Sequence, residues 1–153
     1  MNARLKISAK NIRRFFAMKI SNIVMCFMLM VFMHIVDDFY LQGILANLKQ
    51  KSFWRDNTPW ELYSKLYRND YIIALAVHAF SWCVCIHIPM FVVWYMCGGF
   101  SLVAFIVNFI AQTAIHAVVD NLKANKMKIN LIEDQLLHIV QISFTLALYM
   151  VIR

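Results

Sequence analysis

Four long apolar stretches restrict what this chain can fold into. They run from Ile20 to Leu41, from Tyr71 to Met96, from Phe100 to Val119 and from Leu131 to Ile152. A helix of about 20 residues crosses the hydrocarbon core of a bilayer, which is roughly 30 Å thick. Only 15% of the residues are charged, whereas a soluble domain carries about 25%. The sequence therefore predicts an all-α protein built as a four-helix transmembrane bundle.

The basic residues lie beside the apolar stretches and not within them. Residues 1–19 hold six lysine and arginine residues among apolar ones, a composition that predicts an amphipathic helix on the membrane surface. We separate this segment from a transmembrane domain at residues 20–153. The net charge of +7 is typical of contact with anionic headgroups at the ends of spans. We therefore expect the lipid bilayer, and no nucleic acid, as the partner of these charges.

The first connection, at residues 46–70, is rich in tryptophan and tyrosine, which anchor proteins at the bilayer interface. Within it the run T-P-W-E predicts a helix start. Thr58 would be the N-cap, Pro59 the first helical residue and Glu61 the reciprocal capping-box residue. We expect a short interfacial helix from Pro59 to Arg68.

Histidine and aspartate recur in pairs at helical spacing. His34 and Asp38, His116 and Asp120, and Asp134 and His138 are each four residues apart. Residues four apart share one face of a helix. Chain direction alternates from one span to the next. The same membrane face therefore receives the ends of spans one and three and the starts of spans two and four, and His78 lies near the start of span two. The sequence predicts that these residues form one cluster.

Imidazole and carboxylate together are ligands of zinc, manganese and iron, and facing helices commonly carry such sites. An ionisable group at membrane depth is costly unless it is paired or ligated. We predict a divalent metal ion, zinc, held by residues drawn from all four spans: His34, Asp38, His78, His116, Asp120, Asp134 and His138. Asp37 would act as the general base. A metal-free network of His–Asp hydrogen bonds, or a proton relay, is the structural alternative.

Other polar residues extend the same faces. Asn108 and Gln112 precede His116 at four-residue intervals, and Gln141 and Thr145 follow His138. Hydrocarbon cannot satisfy their hydrogen bonds, so we expect these side chains to bond between helices. His87 is expected to do the same. The cysteines of the spans should behave as small apolar residues, with no disulfide framework.

The order of these motifs resembles a family of small integral membrane proteins of bacteria and phages. The matching positions are His34, Asp38, Phe39, Leu41 and Gln42 in span one, His78 in span two, His116 and Asp120 in span three, and Asp134, Gln135 and His138 in span four. The long basic N-terminus departs from the family, whose members begin close to the first span. The resemblance implies no established activity. We expect an integral protein of the bacterial inner membrane.

Two function classes remain open. In the first, the chain is a membrane-embedded, metal-dependent hydrolase whose substrate is a lipid headgroup, an isoprenoid phosphate or a membrane protein. In the second, it is a non-enzymatic factor that acts on another membrane protein, and the cluster only holds the helices together. Metal content separates the two, because only the first class requires a bound ion.

Overall fold

The computed structural model describes residues 20–97 and 101–151, apart from the side chains of residues 94–97 and 151. The predicted surface helix at residues 1–19 lies outside the described residues. Within them the chain is helical and contains no strand. The helices are α1 (Ile20–Leu41), α2 (Leu45–Leu48), α3 (Lys51–Asn57), α4 (Trp60–Leu62), α5 (Asp70–Cys97), α6 (Leu102–Ala124) and α7 (Leu131–Val151). Two π-helical turns complete the list: Asp37–Leu41 ends α1, and Tyr63–Tyr67 follows α4.

Four of these helices, α1, α5, α6 and α7, are long and apolar enough to cross a membrane. This confirms the predicted four-helix transmembrane bundle. Helix α5 packs against α6, and α6 packs against α7. Helix α5 runs without interruption through Pro89. The chain is therefore an integral membrane protein.

The bundle is apolar outside and carries its polar side chains inside. Large apolar residues such as Val24, Phe80, Val107 and Phe144 are exposed on its outer surface, where lipid solvates them. An apolar core cluster fills part of the interior: Cys26, Met30, Trp82, Cys83, Ile86, Met90, Ile142 and Tyr149. Cys26, Cys83 and Cys85 are free and buried, as predicted for small apolar residues. Because lipid is as apolar as the core, association of the helices relies on packing and on interhelical hydrogen bonds.

Helix α6 ends later than predicted, whereas α7 begins at Leu131 as predicted. Helix α6 continues past the predicted end at Val119 to Ala124, and the backbone N–H of Asn125 then donates to the carbonyl of Asn121. The cap of α7 is Asn130, whose Oδ1 accepts from the backbone N–H groups of Ile132 and Glu133. The Glu133 carboxylate accepts from the Asn130 N–H in return. This reciprocal box fixes the start of α7, and Asp134 therefore lies in its first turn.

The helix start predicted at Thr58 is wrong in detail. Pro59 is the N-cap of α4, has an extended ψ of 137°, and receives no side-chain cap. Thr58 is extended as well and terminates α3. Because Pro59 is itself extended, the helix starts at Trp60, and Thr58 lies one residue too early to be the N-cap. The predicted interfacial helix is a short α-helix continued by a π-helical turn.

The first connection also contains helices that the sequence did not predict, α2 and α3. The chain enters them at Gly43, whose φ of +45° is a left-handed conformation that glycine adopts readily. The Trp54 indole donates to the carbonyl of Leu48 at 2.7 Å, and its ring stacks on Tyr67 at 5.7 Å. These contacts hold the connection together, and α2 and α3 pack against α5 of the bundle.

Asn125 joins the first connection to the third. Its side-chain amide donates to the carbonyl of Lys49 at 3.0 Å, and its Oδ1 accepts from the backbone N–H of Lys51 at 2.6 Å. The two connections therefore lie at the same end of the bundle. This confirms the alternation of chain direction on which the predicted cluster depends.

Candidate metal centre

The structure brings the predicted histidines and aspartates of the four spans together at this end of the bundle. All of them are buried: His34, Asp37, Asp38, His78, His116, Asp120, Asp134 and His138. Three groupings have ligand atoms within 4.8 Å of one another: Asp38, His78 and His116; His116, Asp120 and His138; and Asp38, Asp134 and His138. The predicted convergence on one site is confirmed.

The π-helical turn that ends α1 directs two adjacent carboxylates inward. In a regular α-helix Asp37 and Asp38 would point about 100° apart, since 3.6 residues make one turn. Here both are buried, and both face His78 of α5. Asp37 Oδ2 lies 3.5 Å from Nδ1 of His78, and Asp38 Oδ1 lies 3.4 Å from Nε2. Single π-helical turns are frequent at functional sites.

Helices α6 and α7 supply the other half of the cluster. Asp120 Oδ1 lies 3.5 Å from Nε2 of His138 and 3.8 Å from Nε2 of His116. Asp134 Oδ1 also lies 3.5 Å from Nε2 of His138. Asp120 Oδ2 lies 3.3 Å from Nε2 of His78. Nε2 of His78, of His116 and of His138 therefore each faces at least one carboxylate oxygen at 3.3–3.8 Å.

These separations fit metal ligation better than direct hydrogen bonding. Ligands bonded to zinc at about 2.0–2.2 Å in a tetrahedron lie about 3.4 Å apart, whereas an N–H···O hydrogen bond is about 2.9–3.0 Å long. Several of the facing atoms are buried and have no hydrogen-bond partner among the described residues, namely Asp38 Oδ1, Asp134 Oδ1 and His138 Nε2. Buried polar atoms are normally satisfied, so the residues fit a divalent cation between them.

Two lysines, which sequence reasoning missed, neutralise part of the cluster. Lys49 of the first connection donates to Asp120 Oδ2 at 2.6 Å, and Lys123 of α6 donates to Asp134 Oδ2 at 2.6 Å. The side chain of Lys123 is 35% exposed and that of Lys49 is 13% exposed. They lie between the buried carboxylates and the interfacial helices. Lys49 carries no sequence signal because only the Asn125 contacts bring it to Asp120.

His34 lies beside the cluster with both nitrogens occupied by protein groups. The indole N–H of Trp82 donates to His34 Nδ1 at 2.8 Å. Since indole only donates, His34 carries its proton on Nε2, which donates to Oε1 of Gln135 at 3.1 Å. None of the three ligand groupings of the described residues includes His34. The ligand role of His34 stays a prediction, and its contacts in this structure are those of a positioning residue.

Gln135, which appeared in the sequence only as part of a motif, links three members of the cluster. Its Nε2 donates to Asp38 Oδ2 at 3.3 Å and to Asp134 Oδ2 at 3.2 Å, while its Oε1 accepts from His34. Trp82 stacks on His116 with a centroid distance of 4.1 Å. Gln135 and Trp82 therefore hold members of the cluster in place through these hydrogen bonds and this stacking contact.

A directional chain of hydrogen bonds extends from His138 along α6 and α7 to α5. His138 Nδ1 donates to Oε1 of Gln141 at 3.2 Å, and Gln141 Nε2 donates to Oε1 of Gln112 at 3.0 Å. Gln112 Nε2 donates to Oδ1 of Asn108 at 3.4 Å, and Asn108 Nδ2 donates to Nε2 of His87 at 3.2 Å. His87 Nδ1 donates to the carbonyl of Cys83 at 2.7 Å, which ends the chain.

This chain fixes the tautomer of His138. The carbonyl of Cys83 can only accept, so His87 carries its proton on Nδ1 and accepts with Nε2. This fixes which group donates in every hydrogen bond of the chain back to His138. Neutral His138 therefore carries its proton on Nδ1. Its Nε2 lone pair then points at Asp120 and Asp134, as a metal ligand requires. The predicted interhelical bonds of Asn108, Gln112, Gln141 and His87 are confirmed. The hydroxyl of Thr145 is buried in the same interface without a hydrogen-bond partner among the described residues.

Comparison with protein-family models, with curated proteins and with solved structures finds no match to this chain. The site is therefore interpreted from its own geometry.

Replacing Gln141 with leucine should weaken metal binding. The substitution removes the acceptor that holds the His138 proton on Nδ1, and loss of such an outer partner lowers metal affinity about 10- to 100-fold. Gln141→Glu keeps an acceptor oxygen and should lose less. Competition with a chromophoric chelator on detergent-purified protein measures the affinities. Ser143→Ala, on the exposed face of α7, is the matched control, and equal affinity in wild type and Gln141→Leu would contradict the tautomer argument.

Proposed function

We propose that this integral membrane protein is a metal-dependent hydrolase that acts on phosphate-containing headgroups of membrane lipids. One observation carries the proposal: buried, unpartnered oxygen and nitrogen atoms of Asp38, Asp134 and His138 face one another at ligand spacing.

The charges of the centre call for a cation. Four buried carboxylates, those of Asp37, Asp38, Asp120 and Asp134, face two ammonium groups, those of Lys49 and Lys123. With neutral imidazoles this leaves two negative charges. Insertion of an aspartate at the centre of a membrane helix costs about 2.5–3.5 kcal/mol, so an uncompensated pair is expensive. A divalent ion supplies two positive charges and so neutralises the two remaining carboxylates.

The donor set favours zinc among the divalent ions. Imidazole nitrogens and carboxylate oxygens without thiolates suit zinc, manganese or iron, and the 3.3–3.5 Å separations are those of a tetrahedral site. A bound zinc ion supplies a hydroxide nucleophile at neutral pH. The protein holds the tautomer of His138, and two partly exposed lysines contact the carboxylates of the cluster.

The two lysines indicate the chemistry of the substrate. Lys49 and Lys123 contact Asp120 and Asp134 through one carboxylate oxygen each, and their ammonium groups can contact an anionic oxygen of a substrate as well. Ammonium groups bind phosphate strongly. The site lies at a membrane end beside interfacial helices, within reach of a headgroup whose chains remain in the bilayer. A phospholipid or an isoprenoid phosphate meets these requirements, and a membrane-protein substrate meets only the second.

Asp37 is the residue for which the geometry suggests a second role. It was predicted as the general base, and that role stays a prediction. Its Oδ1 accepts from Ser81 at 2.6 Å, and its Oδ2 faces Nδ1 of His78. A carboxylate behind a ligating histidine commonly orients the ring and raises its basicity. We propose that Asp37 positions His78 and does not take the proton of the attacking water.

The alternative is a non-enzymatic membrane protein, and the lysine contacts favour it. Lys49 and Lys123 already pair with Asp120 and Asp134, which ties the first connection to the bundle without any metal. The resemblance of its motifs supports two further proposals, that this protein belongs with the membrane proteins of bacteria and phages and that it lies in the bacterial inner membrane. It does not favour either function class.

The hydrolase proposal is tested by metal content and by turnover on the same preparations. Wild type, Asp120→Asn and Ser143→Ala are purified without chelator, analysed for metal, and assayed for phosphate release from phosphatidic acid and from an isoprenoid diphosphate. Wild type should hold stoichiometric metal and hydrolyse a substrate. Asp120→Asn should lose both properties, whereas Ser143→Ala, on the exposed face of α7, should keep both.

Folding of each variant is checked by circular dichroism and size-exclusion chromatography. Folded wild type that binds no metal after reconstitution would contradict the metal centre. Metal-loaded wild type without turnover on either lipid would remove the hydrolase and leave a structural metal.

Asp37→Asn separates positioning from base catalysis. If Asp37 orients His78, metal affinity falls about 10- to 100-fold and kcat of the metal-saturated enzyme changes little. If Asp37 is the base, affinity is kept and kcat falls about 10²- to 10⁴-fold. Chelator competition and turnover at saturating metal distinguish the two results. Asp56→Asn, which changes an exposed carboxylate of α3, is the control.

A further inference from the structure

The three ligand groupings cannot all hold a metal ion at the same time, because they share residues. The shared residues determine which groupings can be occupied together. An imidazole nitrogen has one lone pair and binds one ion, whereas a carboxylate has two oxygens and can bridge two ions. The groupings that share His116, or that share His138, therefore exclude each other. The remaining two groupings share Asp38, a carboxylate. They are Asp38 with His78 and His116, and Asp38 with Asp134 and His138.

Asp38 is oriented to serve both groupings. Its Oδ1 lies 3.4 Å from Nε2 of His78 on the α5 side. Its Oδ2 accepts from Gln135 of α7 and so points toward the side of Asp134 and His138. The π-helical turn that brings Asp38 inward places its carboxylate between α5 and α7.

Asp120 spans the same two positions from the opposite side. Its Oδ2 lies 3.3 Å from Nε2 of His78, and its Oδ1 lies 3.5 Å from Nε2 of His138. Oδ2 therefore lies toward His78 of the first grouping and Oδ1 toward His138 of the second, while Oδ1 also lies 3.8 Å from Nε2 of His116. Asp38 of α1 and Asp120 of α6 thus lie between two candidate ion sites. The other ligands of these sites come from α5, α6 and α7.

We propose that the centre holds two divalent ions bridged by Asp38 and Asp120. The first ion takes His78 and His116 as terminal ligands, and the second takes Asp134 and His138. This inference rests on the proposed metal centre and specifies its nuclearity. Paired ions about 3.5–4 Å apart are the arrangement by which phosphatases and nucleases bind both the attacking and the leaving oxygen.

The positive charges of the two neighbouring lysines are consistent with a centre that holds two divalent ions. Two divalent ions neutralise the four carboxylates of the centre, and the ammonium groups of Lys49 and Lys123 are then in excess. Lys49 contacts Asp120 Oδ2, an oxygen that faces the first ion, and so moves away when that ion binds. The freed lysines and the ion pair together suit a phosphate dianion.

Manganese titration with electron paramagnetic resonance tests the nuclearity directly. Apo wild type in detergent is titrated with Mn²⁺ and analysed for bound metal. Two ions bridged by carboxylates should give two equivalents per chain and an exchange-coupled spectrum whose hyperfine spacing is half that of an isolated ion. His78→Ala and Asp134→Ala, which each remove a terminal ligand of one ion, should hold one equivalent with an uncoupled six-line spectrum.

The outcomes separate this inference from the function on which it rests. One equivalent in folded wild type, with a six-line spectrum, would overturn the two-ion centre and leave a mononuclear enzyme. Two equivalents without coupling would overturn the bridge. No bound metal would overturn both proposals. Ser143→Ala, on the outer face of α7, should match wild type in stoichiometry and spectrum.

Discussion

Burial of carboxylates inside an apolar bundle is the constraint on which the rest of the structure depends. Asp37, Asp38, Asp120 and Asp134 are almost fully buried among four helices whose outer faces contact lipid. Neither lipid nor the apolar core can solvate them. Their charges must be met locally, by Lys49, by Lys123, by hydrogen-bond donors or by a cation. The contacts at this end of the bundle all serve that requirement.

Local backbone features deliver the charged groups to one place. The π-helical turn of α1 directs Asp37 and Asp38 to the two nitrogens of His78. The Asn130 cap sets the start of α7 and therefore the direction of Asp134. The Asn125 contacts hold Lys49 over Asp120. Each feature fixes the backbone where an error in helix phase would leave a charge unpaired.

The four spans and the identity of the clustered residues could be predicted from sequence, because apolar length and four-residue spacing are local signals. The alternation of chain direction then placed His34, His78, His116 and His138 at one end. Other features depend on tertiary contacts or on a change of helical period, which spacing rules assume constant. The π-helical turn, the Lys49 contact and helices α2 and α3 belong to this group.

The division of roles within the cluster also required the structure. Sequence spacing treats His34 and His138 alike, since each lies four residues from an aspartate. Their hydrogen-bond partners differ: Trp82 and Gln135 occupy both nitrogens of His34, whereas Gln141 occupies only Nδ1 of His138. The polar residues predicted to join the helices also set the tautomer of a ligand. Gln141, three residues after His138, therefore both joins α7 to α6 and sets the tautomer of a ligand.

X-ray absorption at the zinc edge tests the central claim, that histidines and aspartates of the spans ligate a metal ion. On zinc-loaded, detergent-purified protein the account predicts a shell of nitrogen and oxygen atoms at about 2.0–2.1 Å, with the outer-shell scattering of imidazole rings. Asp120→Asn should lose that shell. A sulfur scatterer at about 2.3 Å, or a shell of light atoms without imidazole scattering, would contradict it.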